Sequence, residues 1–388
     1  MLWARALRAF GNGYVAILLP VHLAALGFDA LAIGAISSAA LLGSALLILG
    51  LGFVAHRVPR RSALLMASFL MLATGLGFAG IESFWPLLLI AFVGTLNPSS
   101  GDVSLFLPLE HTVLAQSVSD QERTAVFARY SFVGSVVGAV GALAAGTVDW
   151  LAPLFGRATL INALFLLYGV LGIASAVLFR KLSPHAEASS ERPPAPLGPS
   201  KRRVYGLAAL FSVDAFGGGF IVDSLLALWL FERFSLAIAT AGTIFFVTGL
   251  CSAISYFAAV PLAKRFGLVN TMVFTHLPSS VLLILTAFAP SAWIAFALLA
   301  LRSLLSQMDV PTPSSYVMAI VTPEERPAAA SVTTVPRSLA AAAAPFLSGW
   351  LLGLGTFGWP LVIAGTLKIA YDLTLLRQFS TVRPPEEG

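Results

Sequence analysis

The chain has 388 residues, 58% of them hydrophobic and 11% charged, with a mean hydropathy of +0.89. Soluble globular domains carry about 25% charged residues, so the composition excludes that class and describes a polytopic protein of the lipid bilayer. The formal charge of +5 does not argue for a nucleic-acid partner, because Lys and Arg gather on the cytoplasmic side of membrane proteins.

The apolar start, MLWARALRAFGNGYVAILLPVHLAALGF, reads as a first spanning helix rather than a cleaved leader, since a second apolar segment follows almost at once. A spanning helix takes about 20 mostly apolar residues. Segments of that kind lie near 6–26, 31–54, 62–81, 84–117, 123–148 and 158–180. The segment 181–203 is polar and rich in Pro, Ser and charge, and reads as a cytoplasmic linker. Six more apolar segments follow near 204–231, 236–262, 270–289, 291–320, 326–354 and 357–379. The expected architecture is all-α, with twelve transmembrane helices in two six-helix bundles, 1–180 and 204–388. A cytoplasmic N-terminus places Arg57, Arg60, Arg61, Arg180, Arg203, Lys264 and Arg326 on one side and leaves Arg157 and Arg233 in the opposite loops. That bias puts both termini in the cytoplasm.

The halves repeat each other. A shift of 208 residues carries Gly11 onto Gly219, Gly34 onto Gly242 and Arg57 onto Arg265. A shift of 203 carries Pro108 onto Pro311, Glu122 onto Glu325 and Arg123 onto Arg326. Six plus six helices in parallel repeat is a layout of secondary transporters.

Between the second and third helices, GFVAHRVPRRSAL (Gly52 to Leu64) resembles the loop signature of the major facilitator superfamily, roughly Gly-x-x-x-Asp-Arg-x-Gly-Arg-Lys. Gly52, Arg57, Arg60 and Arg61 fill the signature, whereas His56 stands where Asp is usual and Pro59 where Gly is usual. A degenerate copy, with Lys264, Arg265 and Gly267, falls between helices eight and nine. The resemblance implies two six-helix domains around a central cavity lined by helices one, four, seven and ten, exposed to each side in turn. It makes Gly52, His56, Arg57, Arg60, Arg61, Lys264 and Arg265 the gating loops. His56 either rewires that gate or makes it sensitive to pH.

Charges inside hydrocarbon are costly and mark ion or substrate pathways. Helix seven carries SVDAFGGGFIVDS, and Asp214 falls near its middle beside Gly217, Gly218 and Gly219, a sequence suited to bending or to close approach of substrate. Asp214, Asp309 and Asp102 are the proton-coupling candidates. Arg337, deep in helix eleven, is the expected partner of Asp214, either as a switch or as a permanent clamp. Arg302 and Asp309 are seven apart and share a face of helix ten, near Pro311 and Pro313; they form a site or a clamp. Substrate-binding candidates are Arg302, Arg337, Asn97, Gln307, Asp223 and Arg8. Helix four should break near Pro108, and Glu110 should pair with Arg129 or a basic loop. Lys368 and Asp372, at i and i+4, should neutralise one another. His22, His111 and His276 have no metal-ligand spacing and read as structural. One cysteine, Cys251, allows no intrachain disulfide, and neither metal nor cofactor is expected.

No GxxxxGK[ST] motif and no hydrolytic constellation occurs, so an enzyme is not expected. The sequence reads as a monomeric, proton-coupled secondary transporter of a small molecule in a bacterial inner membrane, with efflux by antiport ahead of uptake. The alternatives are a uniporter, or a proton symporter of an organic anion. A receptor on the same fold ranks last.

Overall fold

The computed structural model describes residues 1–54, 58–99, 104–117, 120–182, 197–198, 200–308, 313, 316–317, 321–322 and 325–379. Within them the chain is helical: α1 Leu2–Ala25, α2 Ala30–Val54, α3 Arg60–Gly80, α4 Phe84–Val93, α5 Phe106–Ser117, α6 Asp120–Ala145, α7 Thr147–Phe155, α8 Arg157–Arg180, α9 Lys201–Gly219, α10 Asp223–Phe234, α11 Ile238–Phe266, α12 Leu268–Ala287, α13 Ala292–Leu305, α14 Arg326–Gly353 and α15 Trp359–Phe379. Among the described residues eight helical stretches are long and apolar enough to cross a membrane, and α4 and α13 are shorter apolar helices. The chain gathers into two compact units. The first comprises Met1–Ser189, Val222–Leu250 and Pro345–Thr356; the second comprises Ser190–Ile221, Cys251–Ala344 and Phe357–Gly388.

In the first unit, glycines set the helix spacing. A Cβ on Gly75 of α3 would stand 2.5 Å from Gly169 N and Phe165 O of α8, and one on Gly141 of α6 would stand 2.1 Å from Phe10 O of α1. Lipid offers no hydrophobic drive between helices, so close backbone approach is what holds such pairs. Ala63, Leu64, Ala67, Phe106 and Phe179 build a core at one end of this unit. The second unit packs Val204, Phe211, Met272, Tyr316, Tyr371 and Leu375 into its own core. There α12 meets α15 where a Cβ on Gly365 would stand 2.8 Å from Ser280 O.

Helix four is interrupted, but not where Pro108 suggested. Its first half ends at Val93, the next described residues are non-helical through Ser99, and α5 restarts at Phe106 with Pro108 in its first turn. Pro fits there because a first-turn N–H has no intrahelical acceptor to lose. Unpaired backbone groups at membrane depth cost several kcal/mol, so such a break must be satisfied by protein. Thr95 N donates to Thr74 Oγ1 at 3.2 Å, Tyr168 Oη donates to Thr95 O at 2.8 Å, and Ser224 N at the start of α10 donates to Pro98 O at 3.0 Å. Just past the end of α13, Gln307 N donates to Ser255 Oγ of α11 at 3.1 Å. Helix seven breaks at Phe220–Val222, directly after Gly217, Gly218 and Gly219.

Candidate functional site

Five titratable side chains from α9, α12, α14 and α15 converge inside the second unit. Asp214 lies on α9, His276 on α12, Arg337 on α14, and Lys368 and Asp372 on α15. The Lys368 ammonium donates to Asp214 Oδ1 at 2.7 Å and lies 3.4 Å from His276 Nε2. His276 Nδ1 sits 3.0 and 3.1 Å from the two oxygens of Asp372, and His276 Nε2 is 3.7 Å from Asp214 Oδ1. Arg337 approaches Asp214 Oδ2 at 4.0 Å. The gradient of exposure matters: Asp372 is 0% exposed, Lys368 and His276 10%, Asp214 17% and Arg337 47%. The cluster thus runs from a sealed end at Asp372 to an open end at Arg337.

The glycine run of α9 is the seat of this cluster. A Cβ on Gly217 would stand 3.3 Å from Lys368 Cγ and from Ala364 O, and one on Gly218 would stand 3.9 Å from Lys368 Nζ. On the other face, a Cβ on Gly219 would stand 2.3 Å from Ala341 O of α14. The three glycines therefore bring α15 and α14 against α9 on both sides of Asp214. The sequence reading expected bending or close approach of substrate here; the contacts at this run are with neighbouring helices.

Two expectations are corrected. Lys368 and Asp372 do not simply neutralise one another: Lys368 turns to Asp214 and Asp372 to His276. Adjacent turns of one helix can reach different neighbours, and helical spacing carries no information about which partner lies across the interface. Arg337 is a partner of Asp214 as expected, at 4.0 Å, while Lys368, which was not expected there, holds the direct hydrogen bond. His276, read as an isolated structural histidine, is the centre of the network. Its signal in sequence was only a polar residue amid the apolar run of helix nine.

The first unit holds a second buried ionic group. Arg8 donates to both oxygens of Glu110, from Nη1 at 2.8 Å and Nη2 at 2.6 Å, and Tyr130 Oη donates to the same carboxylate. Arg8 is 2% exposed and Glu110 0%. Arg8 also stacks over the Phe106 ring at 4.1 Å, and Arg5 lies over Tyr130 at 5.1 Å. Glu110 is thus an ion-paired residue as expected, with Arg8 rather than Arg129 as its partner. Gly134 makes room for Arg5: a Cβ there would stand 2.4 Å from its guanidinium.

The remaining candidates are dispersed. Asn97 is buried in the break of helix four, and its Oδ1 accepts from Ser99 N at 3.1 Å. Gln307 Oε1 accepts from Tyr256 Oη at 3.0 Å. Asp223 opens α10 in its first turn, and Arg302 lies in the last turn of α13. Gly52, Arg60, Arg61 and Arg265 lie at the ends of α2, α3 and α11. Asp102, Asp309, His56, Arg57 and Pro311 lie outside the described residues, as does the side chain of Lys264. Among the described residues no group of His, Cys, Asp and Glu could hold a metal ion.

The geometry invites comparison with known proteins. The pattern described as Major Facilitator Superfamily matches residues 1–222 and again 207–388. A membrane protein of Saccharomyces cerevisiae, named "Uncharacterized membrane protein YJR124C", is 26% identical over 417 residues, spanning 98% of this chain and 93% of that protein. Among solved structures, the nucleoside transporter NupG aligns with a TM-score of 0.73 at 14% identity, over 97% of this chain and 98% of that one. The human organic anion transporter MFSD10 aligns with a TM-score of 0.65 at 17% identity, over 96% of this chain and 97% of that one. At these identities the solved structures speak for the fold alone, and they agree with an all-helical membrane bundle. Two matches of one family pattern, covering the whole length end to end, settle the matter: this integral membrane protein belongs to the major facilitator superfamily and is a transporter rather than an enzyme.

Proposed function

We propose that the protein is a proton-coupled secondary transporter that moves a small molecule across the bilayer by alternating access, with the Asp214–Lys368–His276–Asp372 cluster as its coupling site. The observation that carries this reading is the linked network itself, on three helices long enough to span, with hydrogen-bond distances of 2.7 to 3.4 Å between successive members. Ionisable groups at that depth are retained at a cost of several kcal/mol each unless paired. A network open at one end and sealed at the other is suited to accept a proton. In this reading the two repeats form bundles 1–180 and 204–388, the linker and both termini are cytoplasmic, and the basic loops at Arg60, Arg61 and Arg265 gate that side. The organism's plasma membrane is the proposed location, and the protein works as a monomer.

A second reading of direction follows from charge. Protonation adds a positive charge to a cluster whose carboxylates and cations already balance, which favours symport of an organic anion over the antiport that the sequence placed first. The test is made in proteoliposomes with trapped pyranine, screened with nucleosides, organic anions and lipophilic cations. A compound that moves protons in the wild type, and fails to do so with Asp214→Asn, supports coupling at this site. Substrate flux indifferent to a pH gradient would make the protein a uniporter.

A further inference from the structure

We infer that His276 is the proton-binding member of the cluster, and that its protonation passes Asp214 from Lys368 to the imidazolium, leaving Lys368 and Arg337 to hold an anionic group of the substrate. The inference rests on the proton-coupled reading above and deepens it. The ring is oriented by Asp372, whose buried carboxylate lies 3.0 and 3.1 Å from Nδ1. An ionised carboxylate only accepts, so Nδ1 carries the hydrogen and Nε2 of the neutral ring presents a lone pair. That lone pair faces the Lys368 ammonium at 3.4 Å, which donates at the same time to Asp214. Lys368 therefore bridges Asp214 and neutral His276.

A proton delivered by hydronium adds to Nε2: an O–H bond breaks, an N–H bond forms, and water leaves. Nε2 then becomes a donor that faces a like charge at 3.4 Å and an acceptor, Asp214 Oδ1, at 3.7 Å. The favourable rearrangement is a hydrogen bond from His276 to Asp214 with retreat of Lys368. Gly218 leaves open the space around the ammonium, since no side chain stands there. Among the described residues, the groups that face His276 include Asp214 from α9, with Arg337 of α14 behind it, and Lys368, Tyr371 and Asp372 from α15. Packed along α12, α13 carries Arg302 as its one charged residue.

Charge then names the substrate class. Among the described residues, with neutral His276 the two carboxylates balance Lys368 and Arg337; protonation of the ring adds one positive charge to that balance. Such a charge away from bulk water is costly, and an anionic group arriving at the exposed Arg337 side removes the cost. One proton per anion bound is the expected ratio, because one imidazole takes up one proton. Histidine fits the task because its ordinary titration lies between pH 5 and 8.

The experiment uses purified full-length protein in detergent with anion and neutral pairs: nicotinate with nicotinamide, and uridine 5′-monophosphate with uridine. Binding is read from the unfolding temperature between pH 6 and 8.5, and proton uptake from phenol red in weak buffer. Expected are binding of an anionic member over its neutral partner, affinity falling about tenfold per pH unit at the alkaline end, and one proton taken up per anion bound. His276→Gln should abolish the uptake, and Lys368→Met should abolish anion preference. Preference for the neutral members overturns the anion assignment. Uptake in the wild type that persists in His276→Gln overturns the role of His276 while proton coupling stands. Absence of uptake in the wild type with every pair overturns both. Should His276→Gln misfold, [15N]imidazole spectra of the wild type decide: one of the five histidines passing from Nδ1–H tautomer to imidazolium on anion addition is expected, and five unchanged rings overturn the inference.

Discussion

Lys368 reaches Asp214 across 154 positions of chain, its ammonium 2.7 Å from Oδ1, and this one hydrogen bond ties α9 to α15. Removing either partner leaves the other charge poorly compensated, which for buried pairs costs about 3–5 kcal/mol; the partial exposure of Asp214 and its second contacts reduce that here. We predict that Asp214→Asn and Lys368→Met each lower the unfolding temperature in detergent. The double variant should recover at least half of the summed loss, because the two residues are directly coupled. Additive losses would show that the pair is energetically independent.

The Arg8–Glu110 pair gives a sharper stability test, because both side chains are buried and the geometry is bidentate. Glu110→Gln should destabilise by about 3–5 kcal/mol, whereas replacing both partners with apolar residues should cost much less. Equilibrium unfolding in mixed micelles measures both. Equal losses for the single and double changes would mean that the pair itself, rather than an orphaned Arg8, holds α1 to α5.

The interrupted fourth helix predicts a dependence on one hydroxyl. Thr74 Oγ1 accepts from Thr95 N, the N–H just past the break, so Thr74→Val leaves that donor without its acceptor at nearly constant volume. The expected loss is about 1–3 kcal/mol. Thr74→Ser should retain most of the stability. If valine and serine behave alike, the hydrogen bond is not what stabilises the break.

Glycines of opposite setting should respond with opposite sign. A Cβ on Gly43 would stand 1.6 Å from Phe92 O, so Gly43→Ala must force α2 from α4 and should cost about 1–3 kcal/mol. Gly50, on the same helix, faces open space, and Gly50→Ala should stabilise by up to about 1 kcal/mol. Thermal unfolding of the two variants side by side reads the contrast.

Glu325 supplies a pH prediction outside the spanning helices. Ser200 and the Gly198 N–H, the latter at 2.5 Å, donate to its carboxylate and hold it below its ordinary value of 4.5. A depressed carboxylate contributes stability above its unfolded value and loses it as pH falls through the folded one. The stability gap between wild type and Glu325→Gln should therefore be constant above about pH 5.5 and shrink as pH falls below 4.5. A gap that widens toward acid would reverse the sign and dismiss the contact as a source of stability.

Much of the architecture was legible in sequence because the bilayer imposes one simple rule, about 20 apolar residues per crossing. Segments expected at 31–54, 62–81, 158–180 and 357–379 coincide within two residues with α2, α3, α8 and α15. The glycine run beside Asp214 and the charge of Arg337 within helix eleven were likewise visible, since charge and glycine in an apolar helix stand out whatever surrounds them. What only the tertiary structure decided was partnership. Nothing in spacing along a helix says that Lys368 faces Asp214 and Asp372 faces His276, or that Glu110 takes Arg8, because each of these pairs joins residues about 90 to 150 positions apart. Nor did Pro108 mark the break of helix four, which lies upstream around Pro98, where Thr74, Tyr168 and Ser224 stand ready to receive its backbone. Depth in the membrane is a one-dimensional property that sequence records. The pairing of buried charges is set by which helices lie side by side, and that is fixed only when the bundle packs.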